Sequence, residues 1–124
     1  MGSGEVAMLV LQGLFAVACV SDMAASEAWY EKLLGRPADD HPMPTLTQWR
    51  WGPAGIQLVH DADRAGKSLM TIVVPEMSAT RRALASRGIA FGDDMQGDFG
   101  IIAQIDDPDG NRITLAEPPR GFAS

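Results

Sequence analysis

Two stretches of the chain repeat one pattern of apolar and polar positions, 54 residues apart. Each begins with an apolar, partly β-branched run, residues 14–20 in the first copy and 69–74 in the second. Runs of this kind, bounded by turn-forming residues, predict buried strands. A segment of helical spacing follows each run and ends at a glycine, Gly35 or Gly88. The repeat therefore predicts two copies of one supersecondary unit that pack against each other.

Further strands follow each predicted helix. Residues 45–51 and 56–60 flank a G-P-A-G turn and predict a hairpin. In the second copy, residues 100–105 and 112–115 flank a D-P-D-G-N turn, in which proline sets the turn and glycine takes a positive φ. Each half is thus predicted to be βαβββ in an α+β fold.

Three shorter segments complete this prediction. Residues 89–91 predict a short strand. Residues 36–44 contain aspartates, a histidine and prolines and predict a loop, so the strand expected there is poorly marked. The glycine-rich acidic segment 92–100 predicts a solvated hairpin loop, with a mobile flap over a ligand as the alternative.

Length and charge limit the class of protein. A chain of 124 residues is expected to form one domain over residues 1–124. Its 10 Lys and Arg against 16 Asp and Glu give a net charge of −6, which argues against nucleic acid or an anionic membrane as partner. The longest apolar stretch, 8–20, is too short to cross a bilayer. The single cysteine, Cys19, cannot form an internal disulfide, and a cytoplasmic location is expected.

The tandem βαβββ pattern, with V-S-D-M at 20–23 and D-P-D-G-N-R-I-T-L at 107–115, resembles the vicinal oxygen chelate superfamily. That superfamily includes glyoxalase I, extradiol dioxygenases, and the fosfomycin- and bleomycin-resistance proteins. The resemblance covers about residues 10–118, with module one at about 10–61 and module two at about 68–118. It implies two modules that form an incomplete barrel around a cleft, and a homodimer that often pairs modules across chains.

The resemblance also implies four metal-ligand positions, which fall at Phe15, Gln57, Leu69 and Thr114. A divalent metal site needs several imidazole or carboxylate donors that converge on one point. Phe15 and Leu69 offer no donor atom, Thr114 offers only a hydroxyl, and Gln57 alone cannot hold a metal. We therefore expect no metal and no cofactor.

The histidines do not change this expectation. His60 is predicted to face away from Gln57 because side chains alternate along a strand. His41 lies beside Asp39 and Asp40 in the predicted loop, where neighbouring side chains usually diverge into solvent.

Strand alternation suggests which side chains line the cleft, and apolar walls with a few polar groups are typical of small-molecule pockets. Trp49 and Trp51, two residues apart, are candidates for stacking an aromatic ligand. A tryptophan pair packed under a helix or at a dimer interface is the alternative, in which case Gln48 and Arg50 face the cleft. A collapsed core is the alternative to an open pocket. The candidate ligand-binding residues are Phe15, Trp49, Trp51, Gln57, Val59, Leu69, Arg112 and Thr114.

These observations favour a metal-free small-molecule-binding protein of the glyoxalase and bleomycin-resistance type. It would sequester a drug or an aromatic metabolite and so confer antibiotic resistance. One alternative is a glyoxalase-like lyase, isomerase or dioxygenase, with Glu117 or Asp106 as base in a metal-independent reaction. Another is a non-catalytic regulatory or partner module whose cleft is filled by its own side chains. No catalytic residue is identified from the sequence.

Overall fold

The computed structural model describes residues 8–98 and 100–119, and it contains the predicted pair of βαβββ modules. Within these ranges, no helix is long and apolar enough to cross a membrane. The first module consists of β1 (Leu14–Val20), α1 (Met23–Leu34), β2 (Asp40–Met43), β3 (Leu46–Trp51) and β4 (Ala54–His60). The second consists of β5 (Leu69–Val73), α2 (Met77–Ser86), β6 (Met95–Gly97), β7 (Gly100–Asp106) and β8 (Arg112–Glu117).

Each module forms a four-stranded mixed sheet, with strand orders β1-β4-β3-β2 and β5-β8-β7-β6. Strand β1 runs parallel to β4, and β5 runs parallel to β8. The remaining strand pairs are antiparallel. Val17 pairs with Gln57, and Thr71 pairs with Thr114. The offset of 54 residues between Val17 and Thr71 is that of the sequence repeat. The two sheets do not close on each other, and the predicted α+β tandem is confirmed.

The helices begin and end close to their predicted bounds, but their first turns are capped differently. Asp22 caps α1, with Oδ1 accepting the Ala25 N–H at 3.1 Å, and Gly35 ends it with φ of 80°. Glu76 stands at the start of α2 without a side-chain capping bond. The Glu117 carboxylate of β8 accepts the Met77 N–H at 2.6 Å instead. A side chain of the sheet therefore provides an acceptor for a free N–H group in the first turn of α2.

The predicted loop at 36–44 contains a strand, β2. It lies at the edge of its sheet, where Pro42 removes no needed ladder hydrogen bond. Asp39 holds it to β3, because its carboxylate accepts the Arg50 N–H at 2.6 Å. A segment of this composition can therefore form an edge strand as well as a loop.

The predicted short strand at 89–91 is wrong, and the last edge strand of the second sheet is β6, inside the acidic segment. Arg81 on α2 explains the difference. Its guanidinium donates to the carbonyl oxygens of Phe91 and Gly92 at 3.2 and 3.0 Å and pairs with Asp94 at 2.6 Å. These bonds hold the segment against the helix, and pairing with β7 begins only at Met95.

One side of each sheet packs against the helices and forms the core. Its buried side chains from both modules make one contiguous cluster that includes Tyr30, Trp49, Leu58, Leu84 and Ile113. We call the opposite side of each sheet its open face. Pairing and alternation place there, in the first sheet, Phe15, Val17, Cys19, Met43, Leu46, Gln48, Arg50, Gln57 and Val59. In the second sheet they place there Leu69, Thr71, Val73, Met95, Ile102, Gln104, Asp106, Arg112, Thr114 and Ala116.

The D-P-D-G-N turn joins the two modules. The Asp107 carboxylate, 5% exposed, accepts hydrogen bonds from the Tyr30 hydroxyl of α1 at 2.8 Å and from the Asn111 side chain at 2.8 Å. Asn111 also donates to the Cys19 carbonyl at 2.8 Å and accepts the Ser68 N–H at 2.8 Å. Burial and the neighbouring Asp107 carboxylate raise the pKa of the Tyr30 phenol, which stays a neutral donor.

Tyr30→Phe is expected to lower the free energy of unfolding by about 2 kcal/mol, because a buried carboxylate loses one of its donors. Urea denaturation measures this change. Ser78→Ala removes an exposed hydroxyl from α2 and serves as the control, with a change within about 0.5 kcal/mol. Equal stabilities of Tyr30→Phe and the unmodified chain would show that the Tyr30–Asp107 bond does not hold the modules together.

Candidate functional site

A pair of side-chain amides lies at the centre of the first open face. The Gln57 Nε2 donates to Gln48 Oε1 at 2.8 Å across β3 and β4, and both residues are half-buried. Val17 completes this row on the neighbouring strand β1. The row therefore combines a fixed polar pair with an apolar side chain.

The second open face carries a chain of directed hydrogen bonds in the equivalent row. Arg112 donates to Gln104 Oε1 at 3.2 Å, and Gln104 Nε2 donates to the Thr114 hydroxyl at 3.4 Å. Arg112 also pairs with Asp106 at 2.9 Å. Its hydrogen bond to Asp106 holds the pKa of that carboxyl below its usual range, so the pair stays ionised into acidic solution.

Apolar side chains surround these polar rows and are exposed. Leu69 is 80% exposed, Val73 66% and Val17 39%, and all three belong to the open faces. Met43 and Met95, at the sheet edges, are also exposed. Large apolar side chains exposed on one face of a sheet are typical of a surface that a ligand or a partner covers.

The donors present do not fit a divalent metal. Phe15 and Leu69 have hydrocarbon side chains, Gln57 is bonded to Gln48, and Thr114 accepts from Gln104. In the part of the chain that the structure describes, no three His, Cys, Asp or Glu residues come close enough to hold a metal ion. These four positions therefore do not supply the ligands that the superfamily's metal chemistry needs.

The structure does not bring the eight candidate ligand-binding residues together. Phe15, Gln57, Val59, Leu69, Arg112 and Thr114 lie on the open faces, but the two tryptophans lie on the helix-facing side of β3. Trp49 is fully buried, and its Nε1 donates to the Arg36 carbonyl at 3.0 Å. Trp49 therefore offers no surface to a ligand in this conformation, because the alternation along β3 turns Gln48 and Arg50 outward instead.

Trp51 is 43% exposed and lies under the Arg36 guanidinium, 4.7 Å from its ring centre. It lines a groove of about 380 Å³ between the end of the first sheet and β5. The other lining residues are Ala16, Leu34, Ala54, Gly55, Ile56, Met70, Thr71, Ile72 and Val73. This apolar groove is separate from the amide pair.

Phe15 lies flat across the neighbouring strand because residue 55 is a glycine. A Cβ atom at Gly55 would stand 2.6 Å from the Phe15 ring, closer than any real contact. The ring thereby forms one end of the first open face, two positions along β1 from Val17.

The candidate bases and His41 are engaged in other contacts. Glu117 caps α2, and Asp106 pairs with Arg112. His41 Nε2 lies 2.8 Å from the Glu27 carboxylate on α1, not in a cluster with its neighbouring aspartates. The described side chains thus leave neither carboxylate free to act as a general base in the resting structure.

The sequence predicts Gln48 at the cleft only as the alternative to tryptophan stacking, and it assigns no role to Gln104. Both lie directly opposite a predicted position, Gln57 or Thr114, in an antiparallel hairpin. The register was the available signal: with only Gly52 and Pro53 between the strands, position 48 must face position 57. The predicted four-residue turn obscured it.

Comparisons with known proteins agree with this architecture. No protein-family model and no curated protein matches the sequence. Among solved structures, a glyoxalase/bleomycin resistance protein from Catenulispora acidiphila is 28% identical over 86% of this chain and 98% of its own, with a TM-score of 0.79. The chain has the vicinal oxygen chelate fold.

Two further structures of this fold are named for what they bind. TnmS3, an antibiotic binding protein from Streptomyces sp. CB03234, is 23% identical over 92% of this chain and 99% of its own, with a TM-score of 0.74. The bleomycin-binding protein of Streptomyces verticillus, solved with copper(II)-bleomycin, is 17% identical over 90% of this chain and all of its own (100%), with a TM-score of 0.73. These two neighbours support the fold, and the glyoxalase/bleomycin resistance protein from Catenulispora acidiphila supports the predicted resemblance.

Proposed function

We propose that the chain binds a small organic molecule on its open faces without a metal. The observation that carries this proposal is the replacement of the superfamily's metal ligands by Phe15, Gln57, Leu69 and Thr114 beside exposed apolar surface. Apolar area supplies affinity in such sites, and sparse polar groups fix the orientation of the ligand.

Sequestration fits these residues better than catalysis. A glyoxalase-like lyase, isomerase or dioxygenase of this superfamily activates its substrate through a metal, and the four positions lack the donors. A metal-independent reaction would need a free base, whereas Glu117 and Asp106 are both held in other contacts. The antibiotic-binding and bleomycin-binding neighbours support a drug or an aromatic metabolite as ligand, and hence a part in antibiotic resistance.

We propose further that a second copy of the chain completes the site, as a homodimer in the cytoplasm. The support is the exposure of Val17, Leu69 and Val73, which a single chain leaves uncovered on both open faces. A partner module placed against these faces would bury them and turn two open surfaces into a cleft.

The ligand proposal predicts that aromatic drugs or metabolites shift the NMR signals of open-face residues. A screen should include bleomycin and other aromatic antibiotics. For the compounds that bind, Val59→Lys is expected to weaken affinity at least about tenfold, because it places a charge in the apolar surface. Ser86→Lys, on the exposed surface of α2, is the matched control and should bind normally. Full affinity in Val59→Lys would show that the ligand does not bind to the open face.

The dimer proposal predicts that sedimentation equilibrium gives twice the mass of the chain. Val73→Lys is expected to shift the equilibrium to monomers, because a partner would have to bury the new charge. The Ser86→Lys variant should sediment as the unmodified chain does. A monomer at every concentration tested would contradict the proposal, and the open faces would then be covered by ligand alone.

A further inference from the structure

We infer that the ligand of the first open face is uncharged and presents an amide-type edge, an N–H donor beside a C=O acceptor, to Gln48 and Gln57. This inference rests on the proposed function and names the class of molecule that the same site accepts. Lactams and primary carboxamides on an aromatic body belong to this class.

The geometry of the amide pair sets the requirement. A side-chain amide has one oxygen and one NH₂ group, and the Gln57–Gln48 hydrogen bond uses one group of each residue. Among the hydrogen bonds of the described residues, the Gln57 oxygen and the Gln48 NH₂ have no partner. Rotating both amides reverses which residue presents which group, but the pair still offers one acceptor and one donor side by side.

The surroundings make these free groups costly to leave unpaired. Both glutamines are half-buried, and Val17, Val59 and Leu46 flank them on the open face. A ligand that covers this surface removes water from the amides, and a purely apolar ligand would leave them unsatisfied. A donor–acceptor edge of its own restores both hydrogen bonds.

Charge on the open faces favours a neutral ligand. Arg50 pairs with Asp40 at 3.0 Å, and Arg112 pairs with Asp106 at 2.9 Å. Each of these two arginines is thus matched by a carboxylate before any ligand arrives. An anionic ligand would have to compete with that carboxylate, whereas a neutral amide leaves both ion pairs intact.

Three compounds of similar shape test this inference: isoquinolin-1(2H)-one, its N-methyl derivative, and naphthalene. The first presents the complete edge, the second lacks the donor, and the third lacks both groups. NMR titration of the 124-residue chain gives the three dissociation constants. We expect the lactam to bind about tenfold more tightly than either analogue, which is the effect of about one hydrogen bond in a shielded site.

Gln57→Met and Gln48→Met remove one amide each at similar side-chain size and should abolish this preference. Gln96→Met, on the exposed strand β6, removes an amide outside the row and should retain it. The comparison of three compounds on the unmodified chain needs no variant, so a folding defect in a methionine variant does not undermine it.

The outcomes separate the inference from the proposed function. Equal affinities of the three compounds at the open face would overturn the inference and leave the proposed function standing. A lactam preference that survives in both Gln57→Met and Gln48→Met would also overturn it. If none of the three compounds shifts any open-face signal, the inference is wrong, and the small-molecule proposal is decided separately by the screen with bleomycin and other aromatic antibiotics.

Discussion

The architecture depends on one buried carboxylate, that of Asp107. It accepts hydrogen bonds from Tyr30 of the first module and from Asn111 of its own turn, and Asn111 in turn reaches Cys19 and Ser68. A buried charge is tolerated only when its lone pairs are satisfied, so these partners must stay in place together. The most characteristic motif of the sequence, D-P-D-G-N, is therefore the joint between the modules as well as a turn.

This joint determines which surfaces remain available. With the helix-facing sides of both sheets in one core, the open faces and the groove beside Trp51 are the surfaces that a ligand could reach. Their middle rows carry amides and a hydroxyl, and exposed Val17, Leu69 and Val73 belong to the same faces. A fold does not fix a function, and the proposal that this chain binds a small molecule rests on the side chains of its open faces.

Much of the fold could be predicted from the sequence, because the repeat and the strand periodicity are local signals. The helix end at Gly35 and the strand at 14–20 follow from rules that involve neighbouring residues only. The strand β6 could not be predicted in this way, because a contact with Arg81 on α2 decides where pairing begins. The candidate site was predicted in part: Gln57 and Thr114 lie on the open faces, whereas Trp49 is fixed in the core by a bond to the Arg36 carbonyl, 13 residues away. The burial of Trp49 argues against its predicted stacking role, because alternation gives two faces and does not say which one is buried. Trp51 lines the groove, and its stacking role stays a prediction.

The central claim is that this site works without a metal, and the most direct test is metal retention. Purified protein is incubated with Mn, Fe, Co, Ni and Zn salts in turn, desalted, and analysed for bound metal. The account predicts no retained metal in the unmodified chain. Near-stoichiometric retention would contradict it and restore a metalloenzyme.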